Sequence, residues 1–299
     1  MKFVNPRNDV AFKKIFGNEE HKEILISFLN AVLDLTGEKE IQEIELLNPY
    51  QAPRLETMKY TLLDVRAKDK RGVTFIVEMK VPHVEGFWKR FTYYTSKAYV
   101  SQIERGQDYP KLNQVIFIGI SNFHEFETSH YVTRIQLLNT VTFQQELKEL
   151  EFNFVELPKF TKTADELTTT LEKWLFFLKH ADELEVIPDS ADSVDLRAAY
   201  GIADQFGWSK DELEVYDYWG IKEQDERGAV QYAWKAGERQ GEQKGERKGR
   251  LETARKMLAE GFDMAMVTKI TGLTAEELAT LPAANAAAQN VGKQGGNLS

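Results

Sequence analysis

The sequence predicts an α/β (α+β) fold, with a mixed central sheet flanked by helices over residues 1–185 and an all-helical C-terminal region after it. Three observations lead there. Short runs rich in Val, Ile, Phe and Thr, among them VTFIVEMKV and NQVIFIGIS, have strand character. Helical patterns precede and interrupt these strands. Beyond Ala164 the apolar spacing turns helical and stays so to about residue 280.

The elements follow in order. Asp9–Phe16, DVAFKKIF, is the first helix and ends at Gly17. A second, from about His21 to Leu35, places Ile24, Leu25, Phe28, Leu29, Val32 and Leu33 on one side, with Gly37 as its stop. Ile41 to Asn48 alternates as a strand, and Pro49 and Pro53 mark a loop. YTLLDVRAKDKRGVTFIVEMKVP then reads strand, tight turn, strand, closed by Pro82. Gly86 to Gly106 is aromatic and free of proline, so a helix is expected. Asn113–Ser121 is a buried strand, and HYVTRIQLLN and EFNFVEL are two more. The domains expected are 1–185, a helical region 186–282 and a disordered tail 283–299, whose AANAAAQNVGKQGGNLS has few large apolar groups to bury.

Composition narrows the functional classes. The chain has 299 residues, 42% of them hydrophobic and 28% charged, enough for a sizeable core. It contains no cysteine, which excludes disulfides, thiolate zinc sites and a catalytic Cys and fits a reducing, cytoplasmic location. The start lacks an apolar signal core, and no run of about 18 apolar residues exists, so no membrane partner is expected. A balance of 38 basic against 47 acidic residues argues against tight, non-specific adhesion to nucleic acid. There is no P-loop, no G-x-S-x-G and no H-x3-H pair; His21, His83, His124, His130 and His180 are scattered and read as structural or surface residues.

The chemistry gathers at the hairpin. Glu78 and Lys80 are two apart and share one strand face, while Val77, Met79 and Val81 take the other. A three-residue loop at Lys70, Arg71 and Gly72 pairs Asp69 with Val73. Counting outward from it puts Asp64 directly across from Glu78, at a Cβ separation of about 4.5–5.5 Å. Two carboxylates that close repel unless a proton or cation lies between them, and magnesium suits two carboxylates and water. A charged hairpin face is more often simply solvated, and the D-x13-E-x-K spacing also arises by chance. Against that, LLDV and FIVEMKV are apolar enough for central strands, where carboxylates need a partner.

These segments carry a resemblance. NDVAFKKIFG, LDVRAKDKRGVTFIVEMKV, FWKRFTYYTSKAYVSQIERGQDY and VIFIGIS resemble the Rpn group of recombination-promoting nucleases and transposases, within the PD-(D/E)xK nuclease superfamily. ERKGRLETARKMLAEGFDMAMVTKITGLTAEELATL resembles the tail of that group. The resemblance implies a restriction-endonuclease-like core and magnesium-dependent hydrolysis of DNA phosphodiesters, with manganese as a substitute. It implies that Asp64, Glu78 and the backbone carbonyl of Met79 hold the metal, with Asp9 as an added acid. Lys80 would position or activate the attacking water, and Gln102 would assist. Leu63 stands where the family pattern has proline. The alternative is an inactive scaffold that retains the nuclease core.

Other stretches carry weaker signals. Trp88, Phe91, Tyr93, Tyr94 and Tyr99 read as core packing in preference to a stacking surface, while Lys89, Arg90 and Lys97 are candidates for phosphate contact. Between residues 235 and 256, Gly237, Gly241, Gly245 and Gly249 recur every fourth position among eight basic and four acidic residues. Each glycine costs a helix about 1 kcal/mol relative to alanine. A flexible linker or a helix supported by a homo-oligomer is favoured there over a phosphate-contacting arm. The segment that follows, with turns at Gly261 and Gly272, has the outline of a small helix-turn-helix unit. No basic recognition helix is evident in it, since TAEELATL is acidic.

Overall fold

A computed structural model describes residues 2–51, 61–79, 86–104 and 106–279. Pro53, Lys80, Val81, Pro82, His83 and the tail 283–299 lie outside the described residues. The chain divides into two compact units, Met1–Ile221 and Lys222–Ser299.

The first unit is built on a six-stranded mixed sheet. Its strands are β1 (Ile44–Leu46), β4 (Val65–Asp69), β5 (Thr74–Met79), β6 (Val115–Ser121), β8 (Leu150–Glu156) and β7 (Val132–Gln136), in that spatial order. β5, β6 and β8 run parallel, and the outer pairings are antiparallel. A separate two-stranded sheet joins β2 (Tyr50–Gln51) to β3 (Thr61–Leu62). The helices of this unit are α1 (Asp9–Phe16), α2 (Lys22–Leu33), α3 (Phe87–Val100), α4 (Thr170–His180), α5 (Val194–Ala203) and the start of α6 (Lys210–Ala259).

Strand alternation sorts the core into two layers. Phe75, Val77 and Met79 of β5, with Ile116, Ile118 and Ile120 of β6, face α1, α2, α4 and α5. Ile76, Val115 and Phe117 face the other way, against Phe91 and Ala98 of α3. Every residue of β5 and β6 is buried, because both faces of the sheet are covered. Trp174 centres the larger layer, with ring centroids 5.7, 6.0 and 5.8 Å from Phe16, Phe28 and Phe177.

α1 forms because Asn8 caps it, its side chain accepting from the Val10 and Ala11 N–H groups at 3.0 and 3.5 Å. It stops at Gly17, as the sequence predicts. α2 buries the six expected apolar residues but ends sooner, at Leu33. Asp34, not Gly37, supplies the left-handed C-cap, with φ 54°. A short acidic side chain tolerates that conformation better than most. β1 is likewise shorter than the alternation over 41–48 suggested.

In the second unit α6 continues as one helix through all four regularly spaced glycines. Its last turns pack with α7 (Met264–Thr271) and α8 (Ala275–Ala279) around Ala254, Val267, Leu273 and Leu278. Gly261 and Gly272 make the turns, with φ of 88° and 69°. Asp263 caps α7 through the Met266 N–H at 2.9 Å, and Thr274 and Glu277 form a reciprocal capping pair at the entry to α8.

Candidate active site

The hairpin sets the site. Asp69 N–H donates to the Val73 carbonyl at 3.1 Å, and Gly72 takes φ 86°. The ladder then pairs Val65 with Val77 and Lys68 with Thr74, which is the register counted from the loop. The chain bends at Asp64, one residue before β4 begins. There Asp64 N–H donates to Glu78 Oε1 at 3.2 Å, and Met79 N–H donates to Asp64 Oδ2 at 2.9 Å. The Asp64 carboxylate thus fills a place in the ladder that a backbone carbonyl would otherwise take.

Glu78 is 8% exposed. Burial first, and then the charge on Asp64, push its pKa up to about 8; the Asp64 N–H, Arg90 and Lys13 pull it the other way. A carboxyl held so high keeps its proton through neutral pH unless further positive charge draws it off. The acid at the end of β8 offers a contrast. Glu156, at 0% exposure, accepts from the Glu125 and Phe126 N–H groups at 2.7 and 3.2 Å and pairs with Lys159 at 2.6 Å. Backbone N–H groups and an ammonium satisfy Glu156, whereas among the described residues Glu78 accepts from the Asp64 N–H and Asp64 takes the Met79 N–H and an ammonium.

Among the described residues, a cation does reach the pair. Lys13 of α1 places Nζ 3.2 Å from Asp64 Oδ1. An ammonium standing there shows that the donor set accepts positive charge. Among the described residues no group of three or more acids and histidines gathers. Two carboxylates completed by a backbone carbonyl and water suit magnesium, which keeps several waters. The two carboxylates are of a chemistry that suits a divalent cation.

The other predicted residues are distributed as follows. Asp9 opens α1 one turn before Lys13, on the same helical face. Lys80 lies outside the described residues. Gln102 is not brought to the carboxylates. Its amide donates to the Asn113 carbonyl and accepts from the Asn113 N–H, both at 2.8 Å. That clamp sits before the start of β6, where Val115 pairs with Thr74, whereas Glu78 pairs with Gly119. Four residues of strand, about 13 Å, separate the two levels.

Arg90 lies in the first turn of α3, and its charge is felt by Glu78. Its Nε donates to Tyr94 Oη at 2.8 Å. Lys89 is exposed beside it, and Lys97 lies about two turns further along, where burial lowers its pKa. Phe91 is core, but Trp88 and Tyr93 are 43% and 40% exposed, so the aromatic helix does not pack as a whole. Trp88 stands edge-on to Phe126 and Phe154, at 5.5 and 5.2 Å. Lys13 is the residue that sequence reasoning missed. The available signal was its position four residues after Asp9 in the motif-bearing first helix.

Two family comparisons match. A family described as PD-(D/E)XK nuclease family transposase matches residues 6–233. The Rpn/YhgA-like nuclease family, C-terminal HTH domain, matches residues 247–282. No curated protein and no solved structure matches the chain.

Proposed function

The chain belongs to the PD-(D/E)XK nuclease family transposases and carries an Rpn/YhgA-like C-terminal HTH domain, and from that premise we propose that it is a magnesium-dependent DNA endonuclease. The observation that carries the reading is the apposition of Asp64 and Glu78 at the end of an interior hairpin, with Glu78 buried.

Asp64, Glu78 and the Met79 carbonyl are the proposed holders of the cation. A bound divalent cation supplies a lowered water pKa, a grip on the phosphate and compensation for charge on the leaving oxygen. The remaining roles fall to side chains. Met79 N–H fixes the orientation of the Asp64 carboxylate, and Asp64 N–H fixes that of Glu78. Lys80, two residues beyond Glu78 in the sequence, is assigned to orient the attacking water. Arg90, on the side of α3 that Glu78 senses, is assigned to a DNA phosphate, with Lys89 beside it. The HTH domain is proposed to contribute duplex binding, and homo-oligomers through the C-terminal helices remain part of the reading. Along α6, Val230, Tyr232 and Trp234 are 69%, 73% and 65% exposed.

The test compares wild type with Asp64→Asn on supercoiled plasmid, with magnesium, manganese or chelator. Asparagine keeps an acceptor for Met79 N–H and removes the charge. Nicking by wild type alone, stopped by chelator, is expected. Equal nicking by both proteins would refute the assignment.

A further inference from the structure

We propose that Lys13 is an exchangeable counter-ion of the metal site: its ammonium occupies the cation's place against Asp64, and a divalent cation binds by displacing it. This rests on the metal reading above and adds to it a competitor carried by the chain itself.

Three observations support the exchange. Lys13 Nζ lies 3.2 Å from Asp64 Oδ1, so ammonium and metal would seek the same carboxylate oxygen. The other Asp64 oxygen is already occupied by Met79 N–H at 2.9 Å, which leaves Oδ1 as the oxygen open to contest. The Lys13 side chain is 38% exposed while that of Asp64 is 13% exposed, so the ammonium can leave for water and the carboxylate cannot follow.

The rest of α1 cannot make this movement. Phe12, Ile15 and Phe16 are buried in the larger core layer. Lys14 pairs with Glu212 and lies 4.4 Å above the Trp208 ring. The Asn5 N–H that precedes the helix donates to Tyr216 Oη at 2.9 Å. With the helix fixed on both sides, exchange falls to the four-carbon stem of Lys13. In the metal-free protein its charge offsets that of Asp64 beside the buried Glu78. Metal binding must first break this ion pair, which weakens the apparent metal affinity and raises the concentration at which the site fills.

The experiment is calorimetric titration of manganese, and separately of magnesium, into the full-length chain. It uses wild type, Lys13→Gln and Lys13→Arg, with thermal melts run alongside. Lys13→Gln removes the competitor, so its metal affinity should rise about fivefold, the size expected of one partly exposed ion pair. Lys13→Arg should shift affinity the opposite way, because a guanidinium is more weakly hydrated than an ammonium and gives up its carboxylate contact for water less readily. Opposite shifts are not the signature of a residue that merely supports the fold. If Lys13→Gln melts before titration, the arginine variant decides alone. Equal or weaker metal binding by Lys13→Gln, or tighter binding by Lys13→Arg, would overturn the exchange while leaving the metal site standing. Folded wild type and folded variants that all fail to take up either metal would overturn both.

Discussion

Replacing Glu78 with glutamine should change how stability depends on pH. Glu78 is buried, and its pKa stands at about 8 against 4.5 for an ordinary glutamate. Between those values the folded protein holds a proton that the unfolded chain has released. The stability contributed by this group is complete below about pH 4.5 and is lost as pH rises toward about 8. Each pH unit across that window removes about 1.4 kcal/mol, which sets a ceiling of about 5 kcal/mol. Solvent and neighbouring dipoles relax around the ionised carboxylate, so about 2 kcal/mol is the expected loss. The assay is urea unfolding of wild type and Glu78→Gln in chelator, at several pH values from about 5 to about 8. The difference between the two proteins isolates this one carboxyl from every other titrating group. Glutamine does not titrate, so the variant should gain on wild type by about 2 kcal/mol as pH rises. A difference that stays constant across the range would refute the reasoning.

Gly72→Ala should cost about 2 kcal/mol in denaturant unfolding, because φ is 86° and a Cβ there would lie 2.7 Å from the Asn113 side chain; an unchanged midpoint would refute the turn assignment. Lys159→Met should cost about 3 kcal/mol, since it leaves the fully buried Glu156 without its ammonium; a thermal melt matching wild type would count against that ion pair. Arg90→Gln should weaken duplex binding and lower the salt slope of log affinity by about one, measured by fluorescence anisotropy; an unaltered slope would remove Arg90 from the DNA-facing surface.

The register of the hairpin was legible because its turn chemistry is local. Gly72 after a two-residue turn specifies the loop, and the loop specifies which residues face each other. The interior position of β5 was legible from its apolar run for the same reason. Where side chains reach across chain segments, the sequence was silent. Gln102 looks like a polar helix residue available for catalysis, yet its amide is spent on the backbone of Asn113, eleven residues on. Lys13 reaches Asp64 across 51 positions, a separation at which no periodicity operates. The length of α6 was also hidden, because glycine at every fourth position lowers helix propensity where the helix nevertheless runs on. Asp34 escaped notice because a glycine three residues later offered the more conventional helix stop.

The hydrogen bond from Met79 N–H to Asp64 also constrains how this protein can diverge. Position 64 serves the strand ladder and, under the proposed function, the chemistry as well, and a substitution is tolerated by the fold only if it still offers an acceptor to that amide. If the proposed function holds, descendants that abandoned cleavage yet kept their architecture should drift to asparagine there far more readily than to alanine. An asparagine at this position across related chains would mark retired nucleases, distinguishable by inspection from those still in service.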